Sequence, residues 1–181
     1  MTVAPSLRFT YEDYLLLPED RRYEILDGDL FMTPAPTPYH QQVSLNLTFL
    51  LLKHVREKAL GRILEAPCDV VLSKTDILQP DILFVAADRL SIIGEKYIAG
   101  PPDLVVEVLS PATADRDTEL KTKIYARFGV KEMWIADPDA KTVAALTNSG
   151  EGFLREGLFR QGELLRSPLL PALTVPLDEI F

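Results

Sequence analysis

The sequence predicts an α/β domain, a mixed central β-sheet flanked by helices, preceded by a short helix and a β-hairpin. Three observations point there. Short apolar runs alternate with two longer helical patterns, in the order hairpin, helix, three strands, helix, strand, hairpin. The run LVVEVLS at 104–110 is almost continuous in apolar residues, as a strand covered on both faces is. Finally, 181 residues that are 47% hydrophobic and 25% charged can bury one core without staples. Residues 1–181 are therefore expected to form a single domain. Its core spans about 38–138, its N-terminal helix and hairpin 10–33, and its C-terminal strands 141–181.

Each element has a local reason. Thr10 ahead of YEDYLLLP reads as an N-cap, with Glu12 and Asp13 in the first turn and Pro18 as the stop, giving a short helix placed like a lid. Extended runs on either side of Asp27-Gly28, a dipeptide suited to positive φ, read as a tight hairpin. After the rigid TPAPTP connector, Thr37-Pro38 supplies a capping hydroxyl and a proline at the first helical position. The helix it opens is expected to run to about 59–60 and to end at Gly61, with Lys53, Arg56 and Lys58 in its last two turns. Its apolar residues fall on more than one stripe, which predicts burial over much of its circumference. RILEAPCDVVLS, ILQPDILFVA and PDLVVEVLS follow as three β-rich runs. A helix is expected from about 114 to 128, stopped by Gly129, then the strand KEMWIADP and short strands around TVAALTN and GLFRQGELL.

Composition narrows the function. The single cysteine, Cys68, forms no internal disulfide, has no convincing histidine partner and reads as a small buried hydrophobe. No run approaches the ~20 apolar residues of a membrane span and no signal-peptide profile opens the chain, so a cytoplasmic protein without membrane association is expected. With 19 basic against 27 acidic residues, a net charge of -8, non-specific coating of nucleic acid is excluded and any nucleic-acid contact must be local. The chain holds no CxxC, HExxH, GxSxG or phosphate-binding glycine loop.

Three charged residues stand where an ordinary core would not put them. Alternation along LVVEVLS sends Val105, Glu107 and Leu109 to one face and Val106 and Val108 to the other, so Glu107 projects from a strand that otherwise reads as buried. There it must be neutralised, paired, as with a lysine, or bound to a cation. Asp81 follows a proline inside a strand-like run, where the missing N–H leaves the ladder irregular; Gln-Pro-Asp is also a turn sequence. Carboxylates on two neighbouring strands, with waters and phosphate oxygens, make the oxygen shell that Mg²⁺ or Mn²⁺ prefers. At 100° per residue, Asp117, Leu120, Lys121, Ile124 and Phe128 share one arc of the following helix while Lys123 points away. Lys121 can thus reach back toward Glu107, or pair with Asp117 on the surface. Glu24 reads either as an outward surface charge or as a neighbour of this site. His40 and His54 lie at opposite ends of one helical stripe; His40 is a candidate structural or ligating histidine, and His54 has no expected chemical role.

The ordered set YEILDG, PYHQ, QPDILFV, PDLVVEVLSPAT, the Asp117-to-Lys121 spacing before Tyr125, and FGVKEMWIADP resembles the Uma-type restriction endonuclease family, a branch of the PD-(D/E)XK nuclease superfamily. The resemblance covers roughly residues 10 to 139. It implies the restriction-endonuclease-like αβββαβ core, with Pro80-Asp81 as the PD and Glu107 as the acidic residue of (D/E)XK. The chain departs from the superfamily pattern two positions later, where Leu109 replaces the usual lysine. The resemblance moves that role to the helical Lys121 and puts Glu24 and His40 at the border of the site. It implies a metal-dependent endonuclease acting on DNA, with Asp81, Glu107 and the Val108 carbonyl holding Mg²⁺ or Mn²⁺. By analogy, cutting both strands calls for a homodimer. Lys53, Arg56, Lys58 and Arg62 near one helix end, or Lys121, Lys123 and Arg127, are the expected phosphate contacts. Two competing readings are a nuclease-like binding module that no longer cuts, and a metal-dependent hydrolase of small phosphate esters.

Overall fold

A computed structural model describes residues 7–18, 20–111 and 116–181, side chains excepted at 116 and 117. Thr10 caps α1 (Tyr11–Tyr14) through a capping box with Asp13; this helix ends before Pro18 is reached. The hairpin β1 (Arg22–Leu26) and β2 (Asp29–Thr33) turns on Asp27 and Gly28, with φ of 50° and 84°. Two successive left-handed residues match the twist of the flanking strands. Thr37 accepts from the His40 N–H and Pro38 opens α2 (Pro38–Glu57) as the capping pattern predicts.

The far end of α2 differs from expectation. The helix stops at Glu57, Ala59 takes a left-handed φ of 51°, and Gly61 opens the next strand instead of ending the helix. A Cβ on Gly61 would collide with the Val85 carbonyl of the paired strand. Burial is also narrower than predicted. His40, Val43, Leu47, Leu51 and Val55 form one inward stripe, whereas Leu45 and Phe49 are 59% and 62% exposed. The i, i+4 stripe is what one helix face can press onto a sheet.

The strands that follow are β3 (Gly61–Glu65), β4 (Val70–Ser73), β5 (Asp76–Leu78), β6 (Ile82–Ala86), β7 (Ile98–Ala99) and β8 (Leu104–Val108). A π-helical turn at Arg116–Lys121 runs into α3 (Thr122–Phe128), capped by a left-handed Gly129. The predicted start of this helix, near 114, lies outside the described residues. Strands β9 (Glu132–Asp137), β10 (Thr142–Asn148), β11 (Phe153–Arg160), β12 (Leu164–Arg166) and β13 (Thr174–Pro176) complete the chain.

The mixed α/β class holds, and helices flank the sheets, but the strands divide between sheets. Six strands in the order β11-β10-β9-β8-β6-β3 form the main sheet, with β8 and β9 parallel and the other pairs antiparallel. Five strands in the order β2-β1-β5-β4-β7 form a second sheet. Two runs that read as single strands cross from one sheet to the other. RILEAPCDVVLS breaks between β3 and β4, and ILQPDILFVA breaks at Gln79-Pro80-Asp81 between β5 and β6. Each break contains a proline, which cannot donate to a ladder. Hydrophobic period marks both halves as strand and carries no information on which sheet each joins.

One face of β8 (Leu104, Val106, Val108) packs with the α2 stripe and with Trp134, Leu165, Leu170 and Val175. The other face, with Val105, packs toward Ile124 and Tyr125 of α3 and toward Leu26, Val70 and Leu78 of the second sheet. Glu107 belongs by alternation to this second face. It therefore points into the seam where the main sheet, the second sheet and α3 meet.

Candidate active site

Strands β1 and β8 and helix α3 converge on that seam. Lys121, at the junction of the π-turn and α3, is 3% exposed and reaches Glu24 Oε1 at 2.9 Å and Glu107 Oε2 at 3.1 Å. Glu24, on β1, is fully buried, and its Oε1 also accepts from the Gln79 N–H at 2.8 Å. Glu107 is 2% exposed, and its other oxygen, Oε1, accepts from the Tyr125 hydroxyl at 2.8 Å. An ammonium and two carboxylates this far from water hold together only because each is met by opposite charge or a hydrogen-bond donor.

Asp81 sits where the chain leaves Pro80 and enters β6. Its Oδ2 accepts from the Val108 N–H at 2.8 Å, which ties the end of β8 to the start of β6. His40, in the first turn of α2, brings Nε2 to 2.8 Å from the Val108 carbonyl and 3.4 Å from Asp81 Oδ2. Both neighbours are acceptors, so Nε2 carries the proton in the arrangement that satisfies them. Asp81, Glu107, Val108, His40 and Lys121 all line one small cleft of about 40 Å³. It adjoins a wider groove of about 460 Å³ that shares Arg22, His40 and Asp81 and adds Gln41, Ser44 and Glu65.

The structure thus brings together the five residues read from the sequence: Glu24, His40, Asp81, Glu107 and Lys121. The helical face calculation holds, since Lys123 is exposed where Lys121 is buried. The surface reading of Glu24 fails because β1 lies in the seam between the two sheets. The Asp117 side chain lies outside the described residues. Cys68 is part-buried, and burial, then the nearby Asp69, raise its thiol above the ordinary value.

Sequence reading missed three participants. Tyr125 lies four residues after Lys121, on the same side of the helix, and that spacing was the available signal. Gln79 holds Glu24 through its backbone and joins Asp69 (2.7 Å) and the Tyr14 hydroxyl (3.2 Å) through its side chain. This half-buried relay links α1 to the seam. Burial, then the hydrogen bond to Asp69, push the Tyr14 phenol well above its ordinary value. The third, Arg22, precedes Glu24 by two on the same strand and lines both clefts.

The description "Putative restriction endonuclease" belongs to the Uma2 family, whose model matches residues 11–178 of this chain. The chain belongs to the Uma2 family. Its fold is that of a solved relative, a "putative nuclease belonging to DUF820" from Anabaena variabilis, with a TM-score of 0.80 at 20% identity over 96% of this chain and 97% of the other. No curated protein matches the chain. No described helix is long and apolar enough to cross a membrane.

Within this Uma2 domain the cationic candidates separate. Lys53, Arg56 and Lys58 sit at the opposite end of α2 from His40, roughly 20–27 Å away at 1.5 Å per residue. Arg62 lies beside Arg56 in a separate shallow groove. Arg127 is half exposed and engaged by acids, at 2.8 Å from Asp27 and 3.1 Å from Asp76, and lies over the Phe128 ring.

Proposed function

We propose that this Uma2 protein is a divalent-metal-dependent endonuclease that hydrolyses phosphodiester bonds in DNA. The observation that carries the reading is the pairing of Asp81 and Glu107 in one cleft with a buried lysine, in a chain whose family is described as restriction endonuclease.

The donor set suits a hard cation. Asp81 and Glu107 offer carboxylate oxygens, and the Val108 carbonyl keeps a lone pair beyond the one directed at His40. Among the described residues there is no group of three or more His, Cys, Asp or Glu able to cage a metal. The proposed donors are all oxygens, which suits Mg²⁺ or Mn²⁺, ions that take few protein oxygens and keep water and phosphate in the shell. Asp81, Glu107 and the Val108 carbonyl would hold the ion. Once bound, it supplies Lewis-acid polarisation of the phosphate and a more acidic water.

The chain's own groups divide the remaining work. Lys121 is held at a defined place by Glu24 and Glu107, and its ammonium orients the attacking water or meets charge building on the phosphate. Lys121 thereby stands in for the lysine that Leu109 replaces. Tyr125 fixes one oxygen of Glu107. His40 steers Asp81 and the Val108 carbonyl toward the same cleft. A duplex lying along α2 would meet Lys53, Arg56 and Lys58 about seven base pairs from the site. A homodimer would present two such sites to the two strands.

Incubation with supercoiled plasmid and Mg²⁺ or Mn²⁺ tests the reading. Metal-dependent nicking that disappears in Lys121→Ala and Asp81→Ala supports it. Binding of DNA without cleavage under any divalent cation overturns it in favour of a binding module, and turnover of aryl phosphates with indifference to DNA points to a small-ester hydrolase.

A further inference from the structure

Arg22 is placed unlike every other cation that reaches into the fold. Arg89 and Lys131 are taken by Asp103, Arg127 by Asp27 and Asp76, and Lys121 by Glu24 and Glu107. Arg22 forms no ion pair among the described residues, in a chain with eight more acidic than basic residues. Its guanidinium makes one hydrogen bond, a 3.3 Å contact from Nη2 to the Pro34 carbonyl. The remaining N–H groups of its fork are available, and the side chain lines both the catalytic cleft and the 460 Å³ groove beside it.

Its position follows from the strand. Arg22 and Glu24 share one face of β1, so the strand face that carries Glu24 to Lys121 also sets Arg22 at the mouth of the same seam. Across the groove, His40, Gln41 and Ser44 lie on the first two turns of α2, whose N-terminal end favours anions. Apolar surface from Pro36 and Leu45 completes the wall.

We propose that Arg22 is the phosphate clamp of this groove. Its guanidinium binds a phosphodiester next to the scissile one, while the attached nucleotide occupies the groove between Pro36 and Leu45, within reach of Gln41 and Ser44. The planar fork of arginine matches two phosphate oxygens at once, which fixes the backbone in register with Asp81 and Lys121. The inference rests on the nuclease reading and identifies the residue that aligns its substrate.

The test is binding of a fluorescein-labelled DNA oligonucleotide by fluorescence anisotropy across a salt series, with Ca²⁺ replacing Mg²⁺, for the wild-type protein, Arg22→Ala and Arg22→Lys. Arg22→Ala is expected to raise Kd about tenfold and to lower the slope of log K against log salt by about 0.9, one phosphate contact. Arg22→Lys keeps the slope and recovers part of the affinity, because the charge remains and the fork is lost. Mn²⁺ binding by calorimetry stays at the wild-type value in both. Wild-type binding retained by Arg22→Ala with an unchanged slope overturns the clamp and leaves the nuclease reading intact. A weaker Arg22→Ala with an unchanged slope also overturns it, assigning Arg22 to holding Pro34. A wild-type protein that neither binds nor nicks DNA overturns the nuclease reading, and the clamp with it.

Discussion

Strand β8 carries a buried acid at each end, and the two ends have become different things. Before its first residue, Asp103 is fully buried and receives the Ala86 N–H at 2.8 Å, Arg89 at 2.9 Å and Lys131 at 2.8 Å. It lines neither cleft at the site. At the other end Glu107 receives Lys121 and Tyr125 and lies on the wall of a cleft with Asp81. At Asp103, two cations serve one carboxylate and close the strand ends together. At Glu107, among the described side chains, one ammonium is shared by two carboxylates and a third carboxylate stands beside them. A buried charge by itself is thus no mark of a site; what sets the Glu107 end apart is that its carboxylates gather beside an open cleft.

The sharpest way to break this comparison is activity. Glu107→Gln or Lys121→Ala is expected to lower plasmid cleavage by about 10²–10⁴-fold, whereas Asp103→Asn leaves the rate per folded molecule at the wild-type level. Equal losses in both would erase the distinction.

Stability should also separate the ends. Lys121→Ala removes the ammonium that Glu24 and Glu107 share in a site closed to water, and a loss of about 3–5 kcal/mol is expected in urea unfolding. Asp103→Asn should cost less, about 1–3 kcal/mol, because Arg89 and Lys131 keep 27% and 55% of their side-chain surface exposed and can return to water.

A third acid on the same sheet sharpens the point through pH. Glu132 is 1% exposed and is met by neutral donors, the Trp134 indole at 2.6 Å, the Ser167 hydroxyl at 2.9 Å and the Leu169 N–H at 3.0 Å. Burial dominates these bonds and raises its carboxyl above the ordinary 4.5. For Asp103, burial pulls upward too, but the Ala86 N–H, Lys131 and Arg89 together hold it below its ordinary 3.8. The signs are therefore opposite. Asp103 contributes stability above 3.8 that is lost as pH falls through its lower folded value. Glu132 binds its proton more tightly when folded, so its contribution is full below 4.5 and is lost as pH rises through its folded value. Subtracting the unfolding free energies of Asp103→Asn and Glu132→Gln from wild type across pH should give opposite slopes in those two windows.

The smallest effect is expected at His54, which shares the α2 stripe with His40. Its Nε2 lies 3.1 Å from the Pro171 carbonyl at the far end of the helix, away from both clefts. His54→Ala should cost about 0.5–1 kcal/mol and leave cleavage unchanged. Any loss of cleavage would extend the site along α2.

Much of the site was legible because its signals are local. A charge in an apolar alternating run marks Glu107, a proline inside a strand marks Asp81, and the 3.6-residue period separates Lys121 from Lys123. The resemblance then joined these fragments into one nuclease motif. Glu24 was harder. Its neighbours describe an ordinary hairpin strand, and its burial comes from β5 and α3, which lie 50 and more residues away. Arg22 and Gln79 were invisible for the same reason, since cleft walls are built by residues without sequence neighbours in common.

By itself, then, the sequence determined the α/β class, the capped starts of α1 and α2, the Asp27-Gly28 turn, and which face of β8 carries a carboxylate. These follow from backbone sterics, capping and periodicity, which act over a few residues. Only the tertiary structure decided that the strands part into two sheets at Pro67 and Pro80, and that Glu24 and Glu107 close on one lysine. It also decided that Arg127 is consumed by Asp27 and Asp76 while Arg22 faces a groove. Those outcomes depend on which surfaces meet and how buried charges find partners, and no local pattern encodes either.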